Sequence, residues 1–387
     1  YAGQLTDEGG NQEINRVKNR PHPYTKNKED RIQIGNFTRN EWGKSQELDF
    51  DITKYHKCGG NLYWHGCYDG DAYYKQFVTP ESYCFDIETE ILTEDGWRKH
   101  FELKEGQNVA TLNPITHKLE YQPIKEVILQ NYKGKMYYLK TKQIDMLVTP
   151  NHRLYLGLQT KDNKLRGNKM KFVTAEKQFG KIKIFKKDCN WEGKNEEYFK
   201  LLYRNSIKDI PIKVWLAFFG LWIAEGSISG KYSVNISNNN LSLLEEIKNR
   251  LSLWFKPHIY KHGSGWQLVI CNIHLVNYLT QFKGAENKFI PKNIKNLSSD
   301  LLKIFLDYYL KGDGSRRMLK NGKRLRTDAW TISKKLCDDL LEVALKIGIS
   351  ANYYQRDRIG ITRTDYKNKK YTTRHIEYCI NFTHQST

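Results

Sequence analysis

Two carboxylates stand at matching places in a repeated pattern. In Phe218-Phe219-Gly220-Leu221-Trp222-Ile223-Ala224-Glu225-Gly226 and in Leu306-Asp307-Tyr308-Tyr309-Leu310-Lys311-Gly312-Asp313-Gly314, a mostly apolar stretch of helical character ends in an acid followed by glycine, with Ser227 or Ser315 next. The two acids are 88 positions apart, and recurrence at that period predicts two similar half-domains. Acids brought together at the ends of two paired helices would repel unless cations lay between them. Hard divalent ions such as Mg²⁺ take oxygen ligands and complete their shells with water and phosphate, and two of them can activate water and stabilise the leaving oxygen of a phosphodiester. The plain alternative is a pair of core helices that happen to end in acids. Earlier in the chain Cys84, Thr149 and His152 are each of a type that can do chemistry, although a buried Cys, a turn Thr and a surface His explain them singly.

These groups need elements to hold them. Gly220 and Gly312 remove side chains where two helices would approach, and Gly226 and Gly314 suit left-handed helix stops. Between the repeats, Tyr232–Ser237 and Gly265–Ile270 alternate as strands, as do Thr327–Ile332 and Ile376–Asn381 after the second repeat. Leu241–Leu253 and Lys334–Ile347 carry the spacing of amphipathic helices. Each half is therefore expected to run helix, strands, helix, with outward sheet residues free to reach base edges in a major groove.

The repeated stretch resembles the two motifs of a single-chain LAGLIDADG homing endonuclease over about residues 211–387. The resemblance implies a pseudo-twofold α/β fold with two αββαββα-like halves, about 211–295 and 296–387, and metal-dependent cleavage of both strands of a long asymmetric DNA site. Glu225 and Asp313 fall on the metal-binding acids of the pattern, with Glu in place of Asp in the first copy. In the second copy Tyr308, Tyr309 and Lys311 stand where the family is smaller or more apolar. Lys288-Phe289-Ile290-Pro291 and Thr331-Ile332-Ser333-Lys334-Lys335-Leu336 resemble the blocks that supply basic residues near the scissile phosphate, which assigns Lys288 and Lys334 to the catalytic set. For either lysine a solvated surface charge is the competing reading.

Cys84-Phe85-Asp86-Ile87-Glu88-Thr89-Glu90-Ile91-Leu92-Thr93, followed by Asp95-Gly96-Trp97 and by Asp145–Tyr155, resembles the first two splicing blocks of an intein within a Hint fold. The likeness extends through Trp191-Glu192-Gly193 and covers roughly 84–210. It implies Cys84, Thr149 and His152 as amino-side splicing residues, and residues 1–83 as host (N-extein) sequence. An intein closes with a strand block and His-Asn. Here the sequence reads Asn381-Phe382-Thr383-His384-Gln385-Ser386-Thr387, so the expectation is a mostly-β Hint horseshoe represented by its N-terminal part, incomplete for cis-splicing unless a separate C-terminal fragment completes it. The overall fold class is then α+β and multidomain.

Charge agrees with a nucleic-acid partner. Lys and Arg total 63 against 43 Asp and Glu, a net charge of +20. Residues 1–83 hold 11 basic and 12 acidic residues, so the whole excess lies beyond Tyr83. A basic, aromatic-rich domain fits neutralisation of DNA phosphates. The basic stretch Lys161–Lys177 is expected as a solvated strand-to-loop region, and Lys320–Arg326 as a basic loop or hairpin tip. Seven scattered cysteines make no disulfide framework and fit a reducing cytoplasm, of a prokaryotic or viral host, in which Cys84 stays free. No apolar run reaches membrane-spanning length. His56, Cys58, His65 and Cys67 repeat a His-x-Cys spacing that could hold zinc, although ordinary half-buried side chains explain it as well. A DNA-binding module that no longer cuts, or an RNA-splicing maturase, is the alternative function.

Overall fold

The computed structural model describes residues 84–129, 132, 134–140, 145–158, 170–180, 183–185, 189–318, 325–364 and 370–383. The His56/Cys58/His65/Cys67 spacing lies outside the described residues, as do most of Lys161–Lys177 and Lys320–Arg326. The chain divides into two compact units. The larger gathers Glu90–Arg98, Gly106–Pro123 and the chain from Lys186 onward; the smaller contains Cys84–Thr89, Lys99–Glu105 and Ile124–Phe185. The stretches 90–98, 106–123 and 186–210, which the linear reading assigns to the Hint part, thus cluster with the repeated half-domains.

In chain order, β1 (Glu90–Thr93), β2 (Gly96–Lys99), β3 (Asn108–Leu112) and β4 (Leu119–Pro123) form a sheet of order β2-β1-β3-β4. In the smaller unit β5 (Tyr137–Lys140) pairs with β6 (Asp145–Val148), and β7 (Arg153–Leu158) is flanked by β8 (Lys171–Thr174) and β9 (Lys183–Phe185), with the short α1 (Ala175–Gln178) between those two in sequence. Its core is Val148, Leu154, Leu156 and Ala175, with Tyr137, Leu139, Met146, Val173 and Phe185 packed around them.

The larger unit continues with a hairpin, β10 (Tyr198–Tyr203) and β11 (Ser206–Pro211), which feeds directly into α2 (Ile212–Glu225). Ten of the 14 residues of α2 are buried. A helix apolar on every side can only be a core helix. After it come β12 (Gly226–Ser229), β13 (Ser233–Asn238), α3 (Leu241–Leu251), β14 (His258–His262), β15 (Gly265–Cys271) and α4 (Ile273–Leu279). The short α5 (Lys292–Lys295) leads to the second copy: α6 (Ser299–Asp313), β16 (Ser315–Met318), β17 (Leu325–Thr331), α7 (Lys334–Lys346), β18 (Ser350–Arg356), a small hairpin of β19 (Thr362–Thr364) and β20 (Lys370–Thr372), and β21 (Glu377–Thr383). The sheets are ordered β12-β13-β15-β14 and β16-β17-β21-β18, the same antiparallel topology twice. The expected strands and helices appear in place, with ends shifted by one to two residues. Asn240 and Ser333 cap α3 and α7 by accepting from the Leu243 and Leu336 N–H groups.

The two repeats meet as α2 against α6. A Cβ at Gly220 would lie 2.4 Å from the Phe305 carbonyl oxygen, and one at Gly312 would lie 2.6 Å from the Ala224 Cβ. Close backbone approach is what these glycines permit. Gly226 and Gly314 work differently from the expected left-handed stop. Their backbones are extended (φ −83°, ψ 151° and φ −79°, ψ 121°) because each helix passes straight into a strand. Glycine is required there because a Cβ would come within 2.3 Å of the Trp222 carbonyl or 2.2 Å of that of Leu310.

The tyrosines of the second motif also find places. The Tyr308 hydroxyl donates to Glu246, Lys311 lies 4.0 Å over the Tyr308 ring and 3.1 Å from Asp307, and Tyr309 is fully buried. Within the same unit a buried charge cluster ties α5 to α7. Lys295 contacts Asp339 at 2.8 Å and Glu342 at 2.7 Å, and Lys346 contacts Glu342 at 2.7 Å. Two cations and two carboxylates make it neutral, and each is hydrogen-bonded, which is how ions survive burial. Lys346 also lies 4.3 Å over Trp191, and the Trp97 Nε1–H donates to the Asp338 carbonyl at 3.3 Å; these contacts hold the sheet residue and the Trp191 segment to α7.

Candidate active site

Glu225 is the last residue of α2 and Asp313 the last of α6. The close packing of the two helices therefore carries both acids to one end of the pair. The geometry puts Gly312 against Glu225 itself, since a Cβ there would lie 3.1 Å from its Cγ. Neither carboxyl is an ordinary solvated acid. Burial pushes Asp313 up to about 7, the neighbouring Glu225 charge pushes the same way, and Lys288 and Tyr309 oppose them. Burial also raises Glu225, against the pull of Lys288. The Tyr309 hydroxyl, one turn before Asp313, is buried and held well above its ordinary range by burial and by that carboxylate.

Lys288 supplies the positive charge. Burial lowers its pKa, while Asp313 and Glu225 raise it. Its ammonium donates to the carbonyls of Ile223 at 2.8 Å, Gly226 at 3.3 Å and Ala224 at 3.4 Å. A cation at the C-terminus of α2 satisfies carbonyls that the helix leaves open and complements its dipole. Lys334 is engaged elsewhere: its Nζ is 2.5 Å from Asp338 and 3.7 Å from Glu90, and 5.2 Å over the Tyr353 ring. Burial works against its charge, yet the bond to Asp338 leaves its pKa raised. Of the two sequence-selected lysines, the structure places Lys288 with the acids and binds Lys334 into a half-buried ion pair with Asp338.

A cavity of about 500 Å³ opens beside Asp313 and Lys288. Trp330, Arg356, Arg358 and Glu377 line it as well. The sequence reading passed over these four. In a chain so rich in Lys and Arg nothing local marks two arginines on β18 and the turn after it; the sheet register brings them to the acid.

Among the described residues no group of three or more His, Cys, Asp or Glu could hold a metal ion. The two carboxylates nevertheless suit a hard cation. They are partly desolvated, Glu225 raises Asp313 by like-charge repulsion, and an oxygen-seeking ion would relieve both effects while drawing the rest of its shell from water and phosphate.

In the smaller unit two hydrogen bonds join Cys84 and Thr149. The Cys84 N–H donates to Thr149 Oγ1 at 3.1 Å, and the Thr149 N–H donates to the Cys84 carbonyl at 3.1 Å. The His152 N–H donates to the Thr149 carbonyl at 3.1 Å, and the imidazole packs edge-on against Phe85 with ring centres 4.2 Å apart. Thr149 and His152 are buried, and Cys84 is a thiol of intermediate exposure that forms no disulfide among the described residues. The three residues singled out in sequence thus form one local cluster.

Residues 300–382 match the family model of the LAGLIDADG-like domain. That stretch contains α6 with Asp313, both arginines of the cavity and the second sheet. The chain is also similar to the ATP-dependent Clp protease proteolytic subunit of Chlamydomonas moewusii, 30% identical over 291 residues, which cover 69% of this chain and 28% of that protein. It is similar to the C-terminal section of the DNA-directed RNA polymerase beta subunit of Stigeoclonium helveticum, 26% identical over 330 residues, which cover 73% of this chain and 30% of that protein. The chain therefore spans less than a third of the length of these curated relatives. Among solved structures, I-DmoI in complex with DNA and calcium is 18% identical over 44% of this chain and 82% of that one, with a TM-score of 0.29.

Proposed function

We propose that the two half-domains form a site-specific, double-strand DNA endonuclease whose acids Glu225 and Asp313 bind divalent cations, Mg²⁺ in the cell. One observation carries the reading: the close-packed helices α2 and α6 deliver two partly desolvated carboxylates to a common end, where the Glu225 charge disfavours that of Asp313. A divalent cation bound there would supply Lewis-acid activation of water and of the leaving oxygen. The chain's own residues do the rest. Glu225 and Asp313 would hold that cation, and Lys288 locks the end of α2 that bears Glu225. The net charge of +20 provides non-specific, salt-sensitive attraction for the duplex.

The test is cleavage, with Mg²⁺, of a duplex spanning the joined host gene at the insertion point, by wild type, Glu225→Gln and Asp313→Asn. Cutting by wild type alone supports the proposal. Salt-sensitive binding without cutting by any of the three would replace it with a non-cleaving DNA-binding module, and preferential binding of structured RNA would replace it with a maturase.

A second activity is favoured by the cluster around Cys84. We infer that Cys84 attacks the carbonyl of residue 83, with Thr149 and His152 as its partners, as the amino-side step of protein splicing; residues 1–83 are then host sequence and a C-terminal fragment the completing partner. The two relatives support an inserted element. A protease subunit and a polymerase section share no activity, yet both contain a stretch similar to this chain. Incubation with thiol or hydroxylamine should release residues 1–83 from wild type and not from Cys84→Ala; equal stability of the two chains would remove the inference. Both chemistries belong in a reducing compartment that contains DNA.

A further inference from the structure

Three cationic side chains line the cavity beside Asp313, and they are not equivalent. Lys288 has three N–H donors, and three backbone carbonyls engage its ammonium. Arg358 faces Glu377 across 3.8 Å. Arg356 has no carboxylate partner among the described residues. Its guanidinium donates to the Tyr354 hydroxyl at 3.0 Å, and its plane is carried 4.1 Å over Trp330 and 5.4 Å over Tyr354. An arginine stacked on an indole has its fork fixed in direction while most of its five donors stay open, the form in which arginine grips a phosphate through two parallel hydrogen bonds.

The first half has nothing comparable. Register counted outward from the acids runs Ser227, Asn235, Val269, His258 in one sheet and Ser315, Asp328, Asn381, Asn352 in the other. This count sets His262 at the place of Arg356, Ser237 at that of Trp330 and Tyr260 at that of Tyr354. The first half therefore keeps the tyrosine but lacks both the guanidinium and the indole platform.

Resting on the endonuclease reading, we propose that Arg356 binds a backbone phosphate of the DNA next to Asp313, so that the two strands are gripped unequally. The phosphate on the Asp313 side is held by a pre-oriented arginine, and its counterpart on the Glu225 side is not.

The test uses the full chain and two readouts. In chelator, the salt dependence of binding to a short duplex is measured for wild type, Arg356→Ala, Arg356→Gln and His262→Ala. Loss of one phosphate contact should make the slope shallower by about 0.9 in both Arg356 variants and leave it unchanged in His262→Ala. Arg356→Gln keeps the stem and a polar head, and decides the matter if the alanine variant does not fold. A slope equal to wild type in a folded Arg356 variant overturns the proposal. With Mg²⁺ and end-labelled strands, the same variants should slow cutting of one strand by about tenfold to a hundredfold and the other far less. Equal slowing of both strands overturns the one-sided assignment. Failure of wild type to cut refutes the endonuclease reading instead, and the slopes still decide whether Arg356 holds a phosphate.

Discussion

The two half-domains share a topology but load their acids differently. Helix α2 is apolar all round, wedged among aromatic rings such as Phe199 on Trp215, stacked at 3.7 Å. It ends at Glu225 under the locked ammonium of Lys288. Helix α6 is amphipathic, wears Asp307 and Lys311 on its outer side, and ends at Asp313 beside a buried tyrosine and an open cavity. Both acids are raised by burial, but Asp313 is also pushed by Glu225 and reaches about 7. Duplication thus produced two positions of equal geometry and unequal electrostatics. Lys288 is the built-in counter-charge of both acids, and Asp313 alone carries the added push of its partner acid.

That comparison can be broken most sharply at the acids. Asp313→Asn and Glu225→Gln should each lower cleavage by about a thousandfold, several kcal/mol of transition-state stabilisation, while duplex binding in chelator persists. Survival of cutting in either variant would show that one half suffices.

The glycines separate the halves by stability. Gly220→Ala drives a Cβ into the Phe305 carbonyl at 2.4 Å with only backbone around it, whereas Gly312→Ala meets the Ala224 Cβ at 2.6 Å and the Glu225 and Leu221 side chains beyond 3.0 Å. Overpacking of this kind costs about 1–3 kcal/mol, and the larger loss should fall on Gly220, where backbone must move; urea denaturation checks the order. Lys288→Met removes the charge at the end of α2 and should cost up to about 2 kcal/mol, with the carboxyl pKa values rising further.

The acids also predict an opposite dependence on pH from that of paired surface carboxylates. Asp313 is raised from 3.8 to about 7 on folding, so the native state binds the extra proton between those values. Stability contributed by that group falls as pH rises through the window, and the penalty is complete above it. In chelator, Asp313→Asn should therefore raise Tm little at about pH 4 and more at about pH 8. The smallest effect belongs to Lys334, whose charge is spent on Asp338 and Glu90. Lys334→Ala should alter strand cutting by less than about threefold; a larger loss would return it to the catalytic set.

Much of this was legible before any fold was known. The spacing of Glu225 and Asp313, the close-approach glycines and the alternating strands are local patterns, and local patterns report periodicity and steric need. The stop glycines were legible as glycines but misassigned in conformation: whether a helix turns left-handed or runs into a strand depends on the sheet it joins. Lys288 and Lys334 looked alike in sequence and differ in place because one lies against carbonyls and the other against Asp338.

By itself the sequence determined the repeat, the acids at its ends, the thiol-hydroxyl-imidazole set at Cys84, Thr149 and His152, and the charge that attracts a polyanion. Tertiary structure alone decided which cations face Asp313. Residues 288, 313, 330 and 356 lie far apart along the chain, and helix crossing and strand register converge them. Burial, which sets the pKa values of both acids, is a property of that packing and not of any stretch of residues.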